Sequence, residues 1–168
     1  MQVIRIERGI APRVDIDVLA RLASVLGYEL SLRVHPTATA VRDAAHIALL
    51  ARFAARLGPS VTWQTEVPIP IPGDLRSADG VAGGTDFDAI VEAETRLHDV
   101  QATERRLRAK QRDLGTARAI LLVADTRHDR AVISGVPNLE RQFPVGTRAC
   151  LAALGKRRDP GADCLVIL

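Results

Sequence analysis

The chain has 168 residues, of which 47% are hydrophobic, 26% are charged and only 3% are aromatic. This length and composition are typical of one well-packed α/β domain with a short appendage, and they exclude a disordered protein. The scarcity of aromatic rings argues against modules that stack single-stranded bases, such as OB-folds. No apolar run reaches the roughly 18 to 20 residues of a membrane helix, and the N-terminus lacks the apolar core of a signal peptide, so we expect a cytoplasmic protein without membrane contacts.

The net charge of +3 is unevenly distributed along the chain. Residues 59–100 contain eight acidic and two basic side chains, whereas residues 101–168 contain 13 basic and seven acidic ones. An acidic pocket beside basic surface is typical of a metal-dependent enzyme that acts on a polyanion, because the metal offsets the carboxylates and arginines hold phosphates. Ordinary charge clustering in an arginine-rich chain is the alternative.

The N-terminal part, residues 1–36, predicts two helices and a linking strand. The first helix covers residues 2–8, and the second covers residues 14–26, with Asp15 near its start and Gly27 as its stop. The second helix has one apolar face with helical spacing, formed by Ile16, Leu19, Ala20, Ala23 and Leu26. Alternation in residues 29–34 predicts the strand, which Pro36 ends.

The remainder, residues 37–168, predicts one sheet with helices. In chain order we expect a helix at 39–57, strands at 61–67, 75–81 and 88–95, a helix at 99–114 and a strand at 118–124. Thr126 with Asp129 resembles a helix start, and a helix at 147–154 and a strand at 164–168 follow. A three-strand meander, a crossover helix and a buried strand indicate an α/β sheet with helices on both faces.

Carboxylates gather near one end of the hairpin that the second and third strands form. Strand alternation places Glu92 and Glu94 on one face of the third strand. If Gly84-Thr85 centres the turn, Asp79 falls opposite roughly Val91 or Glu92. Neighbouring carboxylates repel one another, and oxygen-only clusters are typical sites for hard divalent cations such as Mg²⁺.

Two N-terminal segments carry a family pattern. Residues 5–9 read Arg-Ile-Glu-Arg-Gly, and residues 19–27 read Leu-Ala-Arg-Leu-Ala-Ser-Val-Leu-Gly. Together they resemble the second half of a lambda-repressor-like (XRE/Cro type) helix-turn-helix domain, which implies DNA phosphate contacts from Arg5, Arg8 and Arg13. The match starts at Met1 without the first two helices of that family, so we expect either a late start codon or a relic of a longer protein.

Residues 40 to about 125 carry a second pattern. Their order of elements, αβββαβ, is combined with Ala78-Asp79 on the second strand and Glu92-Ala93-Glu94 on the third. This combination resembles the PD-(D/E)xK superfamily, which has Pro-Asp and Glu-x-Lys at these places. The resemblance implies a restriction-endonuclease-like fold for residues 37–168 and Mg²⁺ as cofactor, with ligands Asp79, Glu92 and, less favoured, Asp74.

The superfamily lysine is replaced by Glu94, and Lys110 on the following helix is the candidate substitute. Lys110 lies at the edge of the sheet-facing side of this helix, from which its ammonium can reach the carboxylates or solvent. Gln101 resembles a glutamine that several branches of the superfamily place on this helix. The family chemistry implies that Glu94 binds metal or positions a water and that Lys110 stabilises charge on the attacked phosphate.

Arg105, Arg108 and Arg112 form a basic face of the same helix, suited to a nucleic-acid backbone, with a solvated surface as the alternative. Two functions stay open at this point. One is a DNA-acting, Mg²⁺-dependent nuclease joined to a helix-turn-helix remnant. The other is a transcriptional regulator whose inactive nuclease-like domain serves sensing or dimerisation into a homodimer. A ligand-sensing domain is a third, weaker option.

Several other polar residues have simpler interpretations. His46 lies on an apolar helix stripe and is interpreted as a core or interface histidine. Residues 125–129 are interpreted as a helix cap and polar turn. Glu66 is an accessory ligand or, more simply, a strand-end surface residue. Cys150 and Cys164 lack CxxC spacing and are predicted to be buried free thiols.

Overall fold

The computed structural model describes residues 15–30 and 39–168, and the chain divides into two compact units, Met1–Thr37 and Ala38–Leu168. In the first unit, helix α1 (Ile16–Val25) follows the extended residue Asp15, and Gly27 with φ 75° lies just beyond it. The predicted helix with its stop at Gly27 is confirmed. The helix predicted at 2–8, most of the linking strand, and the three arginines of the helix-turn-helix resemblance lie outside the described residues.

The second unit contains a six-stranded sheet with helices on both sides. Its helices are α2 (Thr39–Ala54), α3 (Val100–Leu114), α4 (Arg127–Ser134), α5 (Leu139–Gln142) and α6 (Thr147–Gly155). Its strands are β1 (Thr62–Pro68), β2 (Ser77–Gly83), β3 (Asp88–Glu94), β4 (Arg118–Val123), β5 (Val145–Gly146) and β6 (Cys164–Ile167). The strand order across the sheet is β1-β2-β3-β4-β6-β5.

The sheet is mixed. Strands β1, β2 and β3 form an antiparallel meander, and β4, β6 and β5 continue it in parallel pairing. The helix α3 connects β3 to β4, as expected for parallel neighbours. The α/β class and the meander followed by a crossover helix are therefore confirmed. The carboxyl ends of the parallel strands β3, β4 and β6, at Glu94, Val123 and Ile167, lie at the same end of the sheet.

Local signals explain the best-predicted elements. The Asp99 carboxylate accepts a hydrogen bond from the Ala102 N–H (2.9 Å) and so caps α3, and Gly115 ends that helix in the left-handed conformation with φ 73°. Strand β4 is buried on both faces after its first residue, Arg118, which suits its unbroken apolar sequence.

Each face of the sheet packs a separate hydrophobic core. The core under α2 and α6 contains Leu49, Leu50, Phe53, Val91, Ala93, Ile120, Leu122, Cys150, Leu154, Cys164 and Val166. The core under α3, α4 and α5 contains Ala78, Ile90, Leu97, Val100, Leu107, Leu121, Val123, Leu139 and Phe143. The two cysteines are buried free thiols, as predicted.

The structure differs from the sequence predictions at several boundaries. Strand β2 begins at Ser77 rather than residue 75, because Arg76 folds back onto the carboxylate of Asp74. Helix α2 ends at Ala54 rather than residue 57. The short elements α5 and β5 were not predicted. Over residues 15–30 and 39–168, no helix combines the length and the apolar character needed to cross a membrane.

Candidate active site at a gap between two strands

The site begins where β2 and β3 stop pairing. Their ladder runs from Gly83 opposite Asp88 to Gly80 opposite Val91, and the acidic residues follow directly. Beyond this point, the Asp79 N–H donates to the Glu92 carboxylate (3.3 Å), and the Ala93 N–H donates to the Asp79 carboxylate (2.8 Å). Here side-chain carboxylates, rather than backbone carbonyls of the neighbouring strand, accept the hydrogen bonds of backbone N–H groups. The two acids are therefore held side by side in the sheet.

Glu92 forms an ion pair with a lysine from the helix above. The Lys110 ammonium lies 2.7 Å from a Glu92 carboxylate oxygen, and the two side chains are only 16% and 12% exposed. Burial raises the pKa of Glu92, and the negative charge of Asp79 raises it further, whereas the hydrogen bond from Lys110 acts in the opposite direction. The two carboxylates of Asp79 and Glu92 thus carry more negative charge than the half-buried Lys110 offsets.

A histidine approaches Asp79 from the opposite face of the sheet. The Nε2 atom of His46, on α2, lies 3.5 Å from an Asp79 carboxylate oxygen, and both side chains are partly exposed. The interpretation of His46 as a core or interface histidine did not include this contact, because the contact depends on how α2 crosses the hairpin. The sequence signal that could have indicated this contact was a polar residue, His46, within an otherwise apolar helix stripe.

Glu94 is held by side chains of α3. Its carboxylate accepts a hydrogen bond from Arg106 (2.9 Å) and lies 3.4 Å from the hydroxyl of Thr103, which is itself buried. The sequence interpretation did not identify Arg106 or Thr103, although both lie one turn apart on the helix face above β3. Glu94 therefore borders Asp79 and Glu92 but already has a cationic partner.

Asp74 does not join this group of acids. Its carboxylate pairs with Arg76 (2.5 Å), which also binds Asp113 on α3 (2.6 Å). The hydrogen bonds from Arg76 hold the pKa of Asp74 below its usual range. Among the described residues, no polar contact links Asp74 to Asp79 or Glu92. The predicted grouping of Asp74 with these two acids is therefore not found in the structure.

The donor set of Asp79 and Glu92 is compatible with Mg²⁺. Within the described ranges no three His, Cys, Asp or Glu side chains form a group that could hold a metal ion. Proteins, however, often bind Mg²⁺ through one or two carboxylates, with waters and substrate phosphates as the other ligands. Each carboxylate oxygen has two lone pairs, so both residues keep acceptor capacity beyond their present hydrogen bonds.

The remaining predicted site residues lie along α3. Gln101 and Arg105 are exposed, and Arg112 is exposed with its guanidinium 4.0 Å from Asp113. Arg108 is instead committed to the interior of the unit. It pairs with Asp163, donates to the Gln142 carbonyl (3.1 Å) and lies over the Phe143 ring (5.3 Å). The expected basic face for DNA therefore loses its central member.

Two further acidic positions have structural partners. Glu66 is an exposed surface residue with φ 51° that accepts a hydrogen bond from the Ser77 hydroxyl (3.0 Å), but it lies within β1 rather than, as predicted, at the end of the strand. Asp129 is fully buried in the first turn of α4 and accepts from the Leu97 N–H (2.7 Å). The Thr126 hydroxyl accepts from the Asp129 N–H (3.0 Å), so the predicted helix cap is confirmed.

The site thus combines two adjoining carboxylates, a half-buried lysine, a histidine and a third carboxylate held by Arg106, at the point where the β2–β3 pairing ends. Comparisons of the chain with protein-family models, curated proteins and solved structures gave no match. Function is therefore inferred from the chemistry of these side chains and their place in the sheet.

Proposed function

We propose that the unit Ala38–Leu168 is a restriction-endonuclease-like domain that hydrolyses phosphodiester bonds of DNA with Mg²⁺ as cofactor. The order α2-β1-β2-β3-α3-β4, with an antiparallel meander and a parallel β4, agrees with the αβββαβ core of that superfamily. The position of Asp79 on β2 and of Glu92 and Glu94 on β3 agrees with its acidic signature. These agreements support the fold assignment that the proposal requires.

One observation carries the proposal. Asp79 and Glu92 lie together where the β2–β3 ladder ends, and Lys110 reaches Glu92 from α3. A structural ion pair alone would need one carboxylate for one lysine. Burial raises the pKa of Glu92, and the repulsion from the second carboxylate raises it further. Groups with pKa values perturbed in this way are concentrated at functional sites.

The residues have separate tasks in the proposed reaction. Hydrolysis forms a bond from a water oxygen to phosphorus and breaks the bond to the leaving sugar oxygen, which takes up a proton. Asp79 and Glu92 would hold Mg²⁺, which when bound supplies Lewis-acid stabilisation of the charge on the phosphate. Lys110 donates hydrogen bonds to phosphate oxygens at the same place. Glu94 is oriented by Arg106 and Thr103 to position a water.

A transcriptional regulator with an inactive nuclease-like domain is the second candidate. The observation that favours it is that Lys110 and Arg106 already pair with Glu92 and Glu94. Carboxylates with protein cations as partners are stable without a metal ion. In this case the N-terminal unit would supply DNA binding through its helix-turn-helix resemblance, and the α/β unit would serve sensing or homodimerisation.

A nicking assay separates the two candidates. Supercoiled plasmid and short duplex are incubated with the full chain in Mg²⁺, Mn²⁺ or EDTA, and products are resolved on gels. We expect metal-dependent nicking by the wild type and by Asp86→Ala, because Asp86 lies in the exposed turn at the other end of the hairpin. Asp79→Ala and Glu92→Ala should lose it. Equal activity in all variants, or none in the wild type, contradicts hydrolysis at this site.

A further inference from the structure

Two arginines just beyond the carboxyl ends of β3 and β4 have no partner within residues 15–30 and 39–168. Arg96 lies two residues after Glu94, and Arg127 begins α4. Both are exposed, and no hydrogen bond or ion pair of the described residues engages either guanidinium. Because two residues span at most about 7 Å, the Arg96 backbone lies beside the candidate active site.

The two segments that carry these arginines are fastened together. The buried carboxylate of Asp129 accepts from the Leu97 N–H (2.7 Å), and the His128 ring lies 2.8 Å from the Leu97 carbonyl oxygen. The rings of His98 and His128 are 6.0 Å apart. Residues 96–98 and 127–128 therefore form one surface, termed here the strand-end rim.

The acids near the strand-end rim are already occupied. Asp99 caps α3, Asp125 pairs with Arg130, and Asp129 is buried in its hydrogen bonds. Among the described residues, none of these three acids contacts Arg96 or Arg127, so both guanidiniums are free to bind another group. Arg127 also stands in the first turn of α4, where the helix dipole disfavours a cation, so the stability of the helix does not account for its presence.

We propose that the strand-end rim binds the phosphate backbone of duplex DNA, with Arg96 and Arg127 as the principal contacts. This inference rests on the proposed function, because it adds the surface that would hold the substrate across Asp79 and Glu92. Two exposed guanidiniums on adjoining segments suit an extended polyanion, since each can neutralise a separate phosphate. We assign DNA contact to the rim rather than to the outer face of α3, because Arg108 on that helix is paired with Asp163.

The chain offers a matched control at the opposite end of the parallel strands. Lys156 and Arg158 are also exposed and adjoin Asp159, whose carboxylate binds Arg118 at the start of β4. Replacing both by glutamine removes the same charge as replacing Arg96 and Arg127. Arg157 is left unchanged because its φ of 55° makes substitution there sensitive to backbone strain.

The test measures binding of the full chain to a labelled short duplex by fluorescence anisotropy, in EDTA and over a series of salt concentrations. We expect the double variant Arg96→Gln/Arg127→Gln to lower the slope of log affinity against log salt by about 2 and to weaken binding roughly tenfold or more. Lys156→Gln/Arg158→Gln should match the wild type. An unchanged slope in the rim variant, an equal loss in the control, or no wild-type binding overturns the inference.

Cleavage assays of the same preparations separate this inference from the proposed function. Asp79→Ala should keep the wild-type slope while losing metal-dependent nicking. If the wild type does not nick but the rim variant still loses slope, hydrolysis fails and the DNA-binding surface stands. If Asp79→Ala abolishes nicking but the rim variant binds as the wild type does, the rim inference fails and hydrolysis stands.

Discussion

Charged side chains are paired differently at the amino ends and at the carboxyl ends of the parallel strands. At the amino ends, Arg118 pairs with Asp159, and Asp163 receives both Arg108 and the Ala119 N–H (2.7 Å). At the carboxyl ends, Asp79 and Glu92 share one half-buried lysine, Lys110, and Arg96 and Arg127 have no partner among the described residues. The half-buried charges at the amino ends are matched and stabilise the fold, whereas at the carboxyl ends the Asp79 and Glu92 pair exceeds the charge of Lys110.

The comparison requires that both ends belong to one cooperative unit. Leu121 lies fully buried in the middle strand β4, between the two ends. Leu121→Ala should lower the free energy of unfolding by about 2–5 kcal/mol, because it removes buried methyl groups and leaves a cavity. Urea unfolding followed by the NMR amide signals of Ala93 and Ala119, which lie near the two ends of the parallel strands, should give one shared transition. Two separate transitions would break the comparison.

Equivalent substitutions at the two ends sharpen the contrast. Asp163→Asn should lower the free energy of unfolding by about 1–2 kcal/mol, because it weakens a charge-assisted bond to the half-buried Arg108. Asp79→Asn should change it by no more than about 0.5 kcal/mol, because the lost charge also relieves repulsion with Glu92. Urea titrations at neutral pH measure both values. A larger loss for Asp79→Asn would assign that residue to the fold.

The pH dependence of stability should differ between the two ends. The hydrogen bond from Arg118 lowers the pKa of Asp159 in the folded chain. This pair should add at most about 1 kcal/mol above the unfolded pKa of about 3.9, and that contribution should vanish as the pH falls through the folded pKa. The difference between wild type and Asp159→Asn in urea titrations from neutral to acidic pH checks this. A difference that grows on acidification has the wrong sign.

The site end should show the reverse sign. The pKa of Glu92 is raised in the folded chain, so folding favours its protonated form and stability declines as pH rises above the unfolded value of about 4.3. Lys110→Met should raise this pKa further and extend the decline to higher pH. Carbon-13 NMR of glutamate carboxyl groups measures the shift, and Glu92→Gln/Lys110→Met should abolish it. A lower pKa in Lys110→Met would contradict the pairing.

Local chemistry made much of the fold predictable. Asp99 and Gly115 mark the ends of α3, the apolar run of β4 predicts burial, and alternation assigns Val91 and Glu92 to opposite faces of β3. These signals lie within a few residues of the structures that they specify, so one sequence suffices to find them. The elements that it missed, α5 and β5, have four and two residues and are too short to show a period.

The candidate site was predictable only in part. Asp79, Glu92 and Lys110 could be named because a hairpin and the following helix fix their relation over a short stretch of chain. The contact of His46 with Asp79 and the commitment of Arg108 to Asp163 join segments 33 and 55 residues apart. Such contacts depend on how helices cross the sheet, which local patterns do not specify.

The central claim is that Asp79 and Glu92 together take up one divalent cation. Electron paramagnetic resonance of Mn²⁺, titrated with the full chain, measures this uptake directly and without DNA. We expect one bound Mn²⁺ per chain for the wild type and for Asp86→Asn, and a loss of this binding in Asp79→Asn and Glu92→Gln. Equal Mn²⁺ binding by all four proteins, or none by the wild type, would contradict the account.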